Sequence, residues 1–198
     1  MNETHANPKN GVTSQLCGFL AQARYEDLPA STVHAARRGL LDWFGCVFAG
    51  STHPSVELVI DMLKDAGGRP EATVVGRKLK LGIMEAPIAN GFMGHVLDYD
   101  DTHATTLHPS SPVLSALLPL CERKRISGKE LMLAYVCGLE AGARSGRAAP
   151  QHHKGGWVPK IRTICVGVGH MQPNCGGTGH SGNCCDYIQP ACVRCLLK

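Results

Sequence analysis

The amino-acid sequence predicts a mostly α protein. Apolar residues recur at i, i+3, i+4 and i+7 over several windows, most clearly across residues 29–49. Helix-start signals stand in front of two other windows, at Ser111-Pro112 and at Ser127 to Glu130. No alternation of strands with helices and no repeat period runs along the chain, which argues against a parallel α/β sheet.

Each element has its own signal. Residues 12–24 read as a first helix, with Thr13 or Ser14 as cap and Leu16, Phe19, Leu20 and Ala23 at helical spacing. In residues 29–49 the stripe is Val33, Ala36, Leu40, Leu41, Phe44, Val47 and Phe48, with Arg37, Arg38 and Asp42 off it and Gly50 as the stop. Residues 55–65 repeat the pattern through Val56, Val59, Ile60 and Leu63, and Gly67-Gly68 supplies the backbone freedom that ends them.

A short extended piece is expected at residues 72–76. Residues 84–97 carry Ala86, Ala89, Gly91 and Gly94 among larger side chains, so another backbone can approach closely and the helix should lie inside. Ser111, as a capping hydroxyl, and Pro112 open a helix over residues 113–121. Ser127 and Glu130 form a capping box in front of residues 129–147, whose stripe is Leu131, Ala134, Tyr135, Gly138, Leu139 and Gly142. The expectation is six helices and one strand.

With 198 residues and 43% hydrophobic content, the chain can bury one sizeable core. No window approaches the roughly 18 uninterrupted apolar residues of a membrane span. Residues 1–10 read as a flexible leader with neither the basic start nor the apolar core of a signal peptide, so the expected address is cytoplasmic, with a mitochondrial one as the alternative. The formal charge of +4 is uneven, because residues 158–198 hold four Lys/Arg against one acidic residue. With 5% aromatics and no basic stripe, neither nucleic acid nor a membrane is an expected partner.

Cysteine is equally lopsided. Cys17, Cys46, Cys121 and Cys137 are scattered on apolar segments as small core residues, whereas Cys165, Cys175, Cys184, Cys185, Cys192 and Cys195 crowd the end of the chain. Residues 158–198 contain six glycines, three prolines and no helical stripe, and are expected to be an irregular tail. Cys192-x-x-Cys195, with Cys175, His180, Cys184 and Cys185, offers a zinc-binding tail module, although only one half-site has the usual spacing.

Chemistry concentrates in residues 95–114, HVLDYDDTHATTLHPSSPVL, where Asp98, Asp100 and Asp101, His95, His103 and His108, and three threonines lie between apolar segments. Apolar walls and neighbouring charges shift the proton affinities of carboxylates and imidazoles, so the cluster is an acid/base candidate. Two other readings stay open. The same residues suit ordinary turn and cap chemistry, and Asp98, Asp100, Asp101, His103 and His108 are metal-ligand types, although no spacing fixes a ligand geometry. No metal is assigned.

Together with GLLDWFGCVFAG at residues 39–50 and GLEAGARSGRA at 138–148, this cluster resembles the MmgE/PrpD family, which includes 2-methylcitrate dehydratases and cis-aconitate decarboxylases. The motifs run in order from about residue 11 to 157, so residues 11–157 are expected to form the N-terminal part of the family's all-helical domain, and residues 158–198 to stand outside the family fold. The resemblance implies a cofactor-free lyase acting on a small polycarboxylate, as a homodimer, with its site between a helical domain and a lid. It carries catalytic roles onto Asp98, Thr102 and His108, and His103, Arg144 and Lys154 are the candidates for holding the substrate.

A further family histidine is expected just after Gly156-Trp157, where this chain has Val158. That departure coincides with the composition break and points to a splice or reading-frame change there. The resemblance therefore also implies weakened activity, or a non-catalytic product that associates with a full-length partner.

Overall fold

A computed structural model describes residues 11–104 and 108–148. Its order is α1 (Val12–Gln22), a 3-10 turn (Tyr25–Asp27), α2 (Ala30–Gly50), α3 (Pro54–Ala66), β1 (Ala72–Val74), β2 (Leu79–Leu81), α4 (Glu85–His95), α5 (Ser110–Lys124) and α6 (Gly128–Ala148). The described residues are thus mostly α, with one antiparallel hairpin that pairs Ala72 with Leu81, Thr73 with Lys80 and Val74 with Leu79. The leader, the tail with its zinc candidates, and Lys154 lie outside the described residues. None of the described helices is long and apolar enough to cross a membrane.

Helix α4 occupies the centre, packed mainly against α2 and α5. Its small residues explain how. A Cβ on Gly94 would lie 2.7 Å from Ser111 Oγ and 3.0 Å from Trp43 Nε1, and one on Gly50 of α2 would lie 2.0 Å from the Met93 carbonyl oxygen. Trp43, Val47, Ile60, Met93, Leu114, Leu117 and Tyr135 fill the space between these backbones and are almost wholly buried. The interior position expected for residues 84–97 is therefore found, with Ala86 and Ala89 inaccessible.

The hairpin is tied down by side chains that satisfy its backbone. Buried Asn90 of α4 accepts from the Val75 N–H at 2.9 Å and donates to the Thr73 carbonyl at 3.0 Å. Glu122 of α5 accepts from the Thr73 N–H and hydroxyl at 3.0 and 2.7 Å. Unpaired strand edges are costly when buried, and these bonds let a two-stranded piece sit against helices.

Several details differ from the sequence reading. β2 is a second strand, missed because three residues with an exposed Lys80 carry too little alternation to register. Leu41 and Phe48 were expected in the buried stripe of α2 but are 75% and 55% exposed, because the inward face turns on Trp43, Cys46 and Gly50 instead. α3 starts one residue early because His53 caps it, its Nδ1 accepting from the Ser55 N–H at 3.2 Å.

α5 also starts earlier than expected and runs on through Pro119 to Lys124. Ser111 is not its cap but lies inside the helix and donates to the Gly91 carbonyl of α4 at 3.2 Å. The acceptor in the first turn is Asp101, which receives the Ser110 N–H at 3.2 Å and the Ser110 hydroxyl. A carboxylate there suits the positive end of the helix dipole. The capping box of α6 forms as read, with the Ser127 N–H donating to Glu130 Oε2 at 2.8 Å and the Glu130 N–H to Ser127 Oγ at 3.3 Å.

Candidate active site

The site is built where α4 ends. His95 is the last residue of α4, and the following turn closes with the Asp98 N–H donating to the His95 carbonyl at 2.9 Å. Asp98 takes a left-handed conformation, φ 54°, which aspartate tolerates better than most residues. This reversal sends two aspartates in opposite directions. The Asp98 side chain is 79% exposed, whereas that of Asp100 is 1% exposed.

Four side chains meet around that turn. His95 Nδ1 lies 2.8 Å from Asp100 Oδ1. His108, on the approach to α5 and 8% exposed, places Nδ1 3.2 Å from the Asp100 carbonyl oxygen and 3.1 Å from Asp100 Oδ1. The two imidazole centroids are 4.5 Å apart at 59°. On their outer side, His108 Nε2 and His95 Nε2 stand 3.6 and 3.9 Å from Asp98 Oδ1. An ionised carboxylate and two imidazoles so placed can pass a proton among themselves and to a bound molecule. Donor atoms of His95, Asp98 and His108 all lie within 4.8 Å of one another, so among the described residues these would be the ones to hold an ion.

Beneath the cluster, Ser110 links Asp101 to Tyr135 of α6 through its hydroxyl. Burial raises the Asp101 carboxyl above its ordinary value, with the Ser110 hydrogen bonds opposing that rise. Burial also pushes the Tyr135 phenol up to about 12. Cys46 is pushed to about 11, chiefly by burial and then by the charges of Asp42, Asp100 and Asp101, so its thiol stays protonated and is no nucleophile.

Of the residues singled out from sequence, the structure brings Asp98 and His108 together. Thr102 and His103 are exposed in the same loop. Arg144 is engaged elsewhere, pairing with Glu140 at 2.6 Å and lying 4.8 Å over the Phe19 ring at the contact of α1 with α6. An open cleft of about 350 Å³ is lined by residues including Arg24, Tyr25, Lys129 and Glu130, none of which belongs to the cluster. His95 and Asp100 stood in the acid/base cluster read from the sequence but received no individual catalytic role. Their signal was present, a histidine at the end of an interior helix and an aspartate five residues on, but burial alone ranks Asp100 above its neighbours.

The model of the MmgE/PrpD N-terminal domain matches residues 14–171. The chain belongs to the MmgE/PrpD family. The match runs from within α1 through α6 and continues past Trp157. Among curated relatives, the cis-aconitate decarboxylase-like protein oryM of Aspergillus oryzae is 31% identical over 156 residues, covering 75% of this chain and 32% of the relative. The cis-aconitate decarboxylase of Aspergillus terreus is 30% identical over 149 residues, covering 72% and 30%. That of Mus musculus is 30% identical over 138 residues, covering 67% and 28%. The chain thus spans about 30% of the length of the relatives it matches.

Proposed function

We propose that this chain carries acid/base machinery of a lyase acting on a small polycarboxylate, with decarboxylation of a cis-aconitate-like acid as the reaction. The observation that carries the reading is the convergence of His108, His95 and Asp98 beside the buried Asp100, in a chain whose relatives include cis-aconitate decarboxylases. The names favour decarboxylation over the dehydration of 2-methylcitrate-like acids that the family also includes.

Loss of carbon dioxide breaks the bond between a carboxylate and its neighbouring carbon and leaves the electron pair on that carbon. A proton must then reach the same carbon, so the net change is one carboxylate replaced by one hydrogen. His108 Nε2, at the rim of the buried cluster, is the group to deliver it, and Asp98, 3.6 Å away, steadies its charged form. The exposed Thr102 hydroxyl is suited to hold a second carboxylate of the substrate, whose lost hydration a hydrogen bond would replace.

The test is carbon dioxide release from cis-aconitate by the purified chain. His108→Ala and Asp98→Ala should each lower it by about 10²- to 10⁴-fold, and turnover equal to that of the unaltered chain in both variants would overturn the assignment. A second reading, association with another copy or with a longer relative, is favoured by Leu41, Phe48, Leu58, Met62, Met84 and Ile88, large apolar side chains all more than half exposed. Size-exclusion chromatography over a concentration series separates the two: a monomer at every concentration argues against self-association.

A further inference from the structure

The MmgE/PrpD relationship and the reading above account for Asp98 and His108, but not for the carboxylate buried behind them or for the second imidazole. We propose that Asp100 is the positioning residue of this site and that His95 is its second imidazole, both rings being held with the hydrogen on Nδ1 so that their Nε2 atoms converge on Asp98. The proposal rests on the polycarboxylate reading for what the imidazoles act on, but not for how they are held.

The argument turns on which atoms are able to donate. A main-chain carbonyl only accepts, so the 3.2 Å contact from His108 Nδ1 to the Asp100 carbonyl requires the hydrogen on His108 Nδ1. When the Asp100 carboxylate acts as the acceptor, the 2.8 Å contact from His95 Nδ1 to Asp100 Oδ1 places the hydrogen on His95 Nδ1. Asp100 therefore holds both rings, His108 through its main-chain carbonyl at 3.2 Å as well as its Oδ1 at 3.1 Å, and His95 through Oδ1 alone at 2.8 Å. Nε2 is then the atom of each ring that takes up and gives up a proton, with a lone pair when the ring is neutral and a hydrogen when it is charged, and these are the atoms 3.6 and 3.9 Å from Asp98 Oδ1. A carboxylate that sets an imidazole's tautomer and orientation without itself reacting is an established device in hydrolases, and here the carboxylate is 1% exposed, which keeps water from competing for the same hydrogen.

The two means of attachment make the proposal separable from a merely structural role. In Asp100→Asn the main-chain carbonyl remains, so His108 should keep its hydrogen on Nδ1, whereas the amide can turn a donor toward His95 and release its tautomer. His95→Asn offers an N–H near the former Nδ1 position, preserving the contact with Asp100 while deleting Nε2.

The experiment is ¹⁵N–¹H correlation of the histidine rings in the full chain, with cis-aconitate binding and turnover measured on the same samples. The expected result is Nδ1–H on both His95 and His108 in the unaltered protein, loss of that state at His95 alone in Asp100→Asn, and turnover at least about tenfold lower in His95→Asn with an unchanged unfolding midpoint. An Nε2–H tautomer at His95 in the unaltered protein, or no change at His95 in Asp100→Asn, overturns the proposal. So does full turnover in His95→Asn. Should Asp100→Asn fail to fold, the unaltered protein's tautomers and His95→Asn still decide it. Both tautomers as expected, in a chain that binds no cis-aconitate, support the positioning role and overturn the polycarboxylate reading instead.

Discussion

His95 and Asp100 meet at 2.8 Å across a turn whose other aspartate, Asp98, points into solvent. The two aspartates should therefore answer substitution in opposite ways. Asp100→Ala removes a buried acceptor from a part-buried hydrogen bond and is expected to cost about 1–3 kcal/mol. Asp98→Gly removes an exposed side chain and relieves a left-handed backbone, so it should leave stability unchanged or raise it by up to about 1 kcal/mol. Urea unfolding of both variants measures the contrast; a larger loss in Asp98→Gly than in Asp100→Ala would contradict it.

The glycines of α2 make a second contrast. A Cβ on Gly50 would fall 2.0 Å from the Met93 carbonyl, a backbone atom that only moves if α4 moves, so Gly50→Ala should cost about 1–3 kcal/mol and loosen the turn that α4 leads into. Gly45 is exposed in the same helix with nothing within 4 Å of its would-be Cβ. There Gly45→Ala should stabilise by about 0.5–1 kcal/mol, since only the entropic penalty of glycine is removed. Thermal unfolding should move in opposite directions for the two.

Stability should fall with pH at two separate places. Asp101 is raised above its ordinary 3.8 by burial, so the folded state holds that proton more tightly than the unfolded state. The resulting stability is complete below pH 3.8 and is lost as pH climbs through the folded value. Tyr135 behaves likewise, its stability lost as pH rises from its ordinary 10.0 to about 12. Asp101→Asn should flatten the acidic region of the stability curve, and Tyr135→Phe the alkaline one. Unfolding midpoints taken across both ranges, with phenolate absorbance for Tyr135, are the measurement.

Much of this fold is legible in the sequence. The helices declare themselves through stripes and caps, and the capping box at Ser127 is local enough that no tertiary information is needed. The site loop was legible as a density of acids and imidazoles. What composition cannot show is direction. Asp98, Asp100 and Asp101 are nearly adjacent and chemically equal, yet one faces solvent, one is buried under two imidazoles and one caps α5, because a single left-handed residue turns the chain. The same blindness misplaced Ser111, a good cap by type, which the tight approach of α4 at Gly94 converts into an interhelix hydrogen bond.

Arg144 has partners that sequence order does not announce. It was a candidate for holding a substrate carboxylate, but its guanidinium is taken up by Glu140 and by the Phe19 ring. An exposed i, i+4 pair contributes about 0.3–0.5 kcal/mol and an exposed cation–π contact about 0.5–1 kcal/mol, so Arg144→Met should lower stability by about 1 kcal/mol or less. Loosening should appear between α1 and α6, where hydrogen exchange can locate it. Affinity for cis-aconitate should be unaltered, because neither partner of Arg144 belongs to the cluster at the end of α4. A substrate-binding arginine would give the reverse pattern, a weakened KM with stability intact.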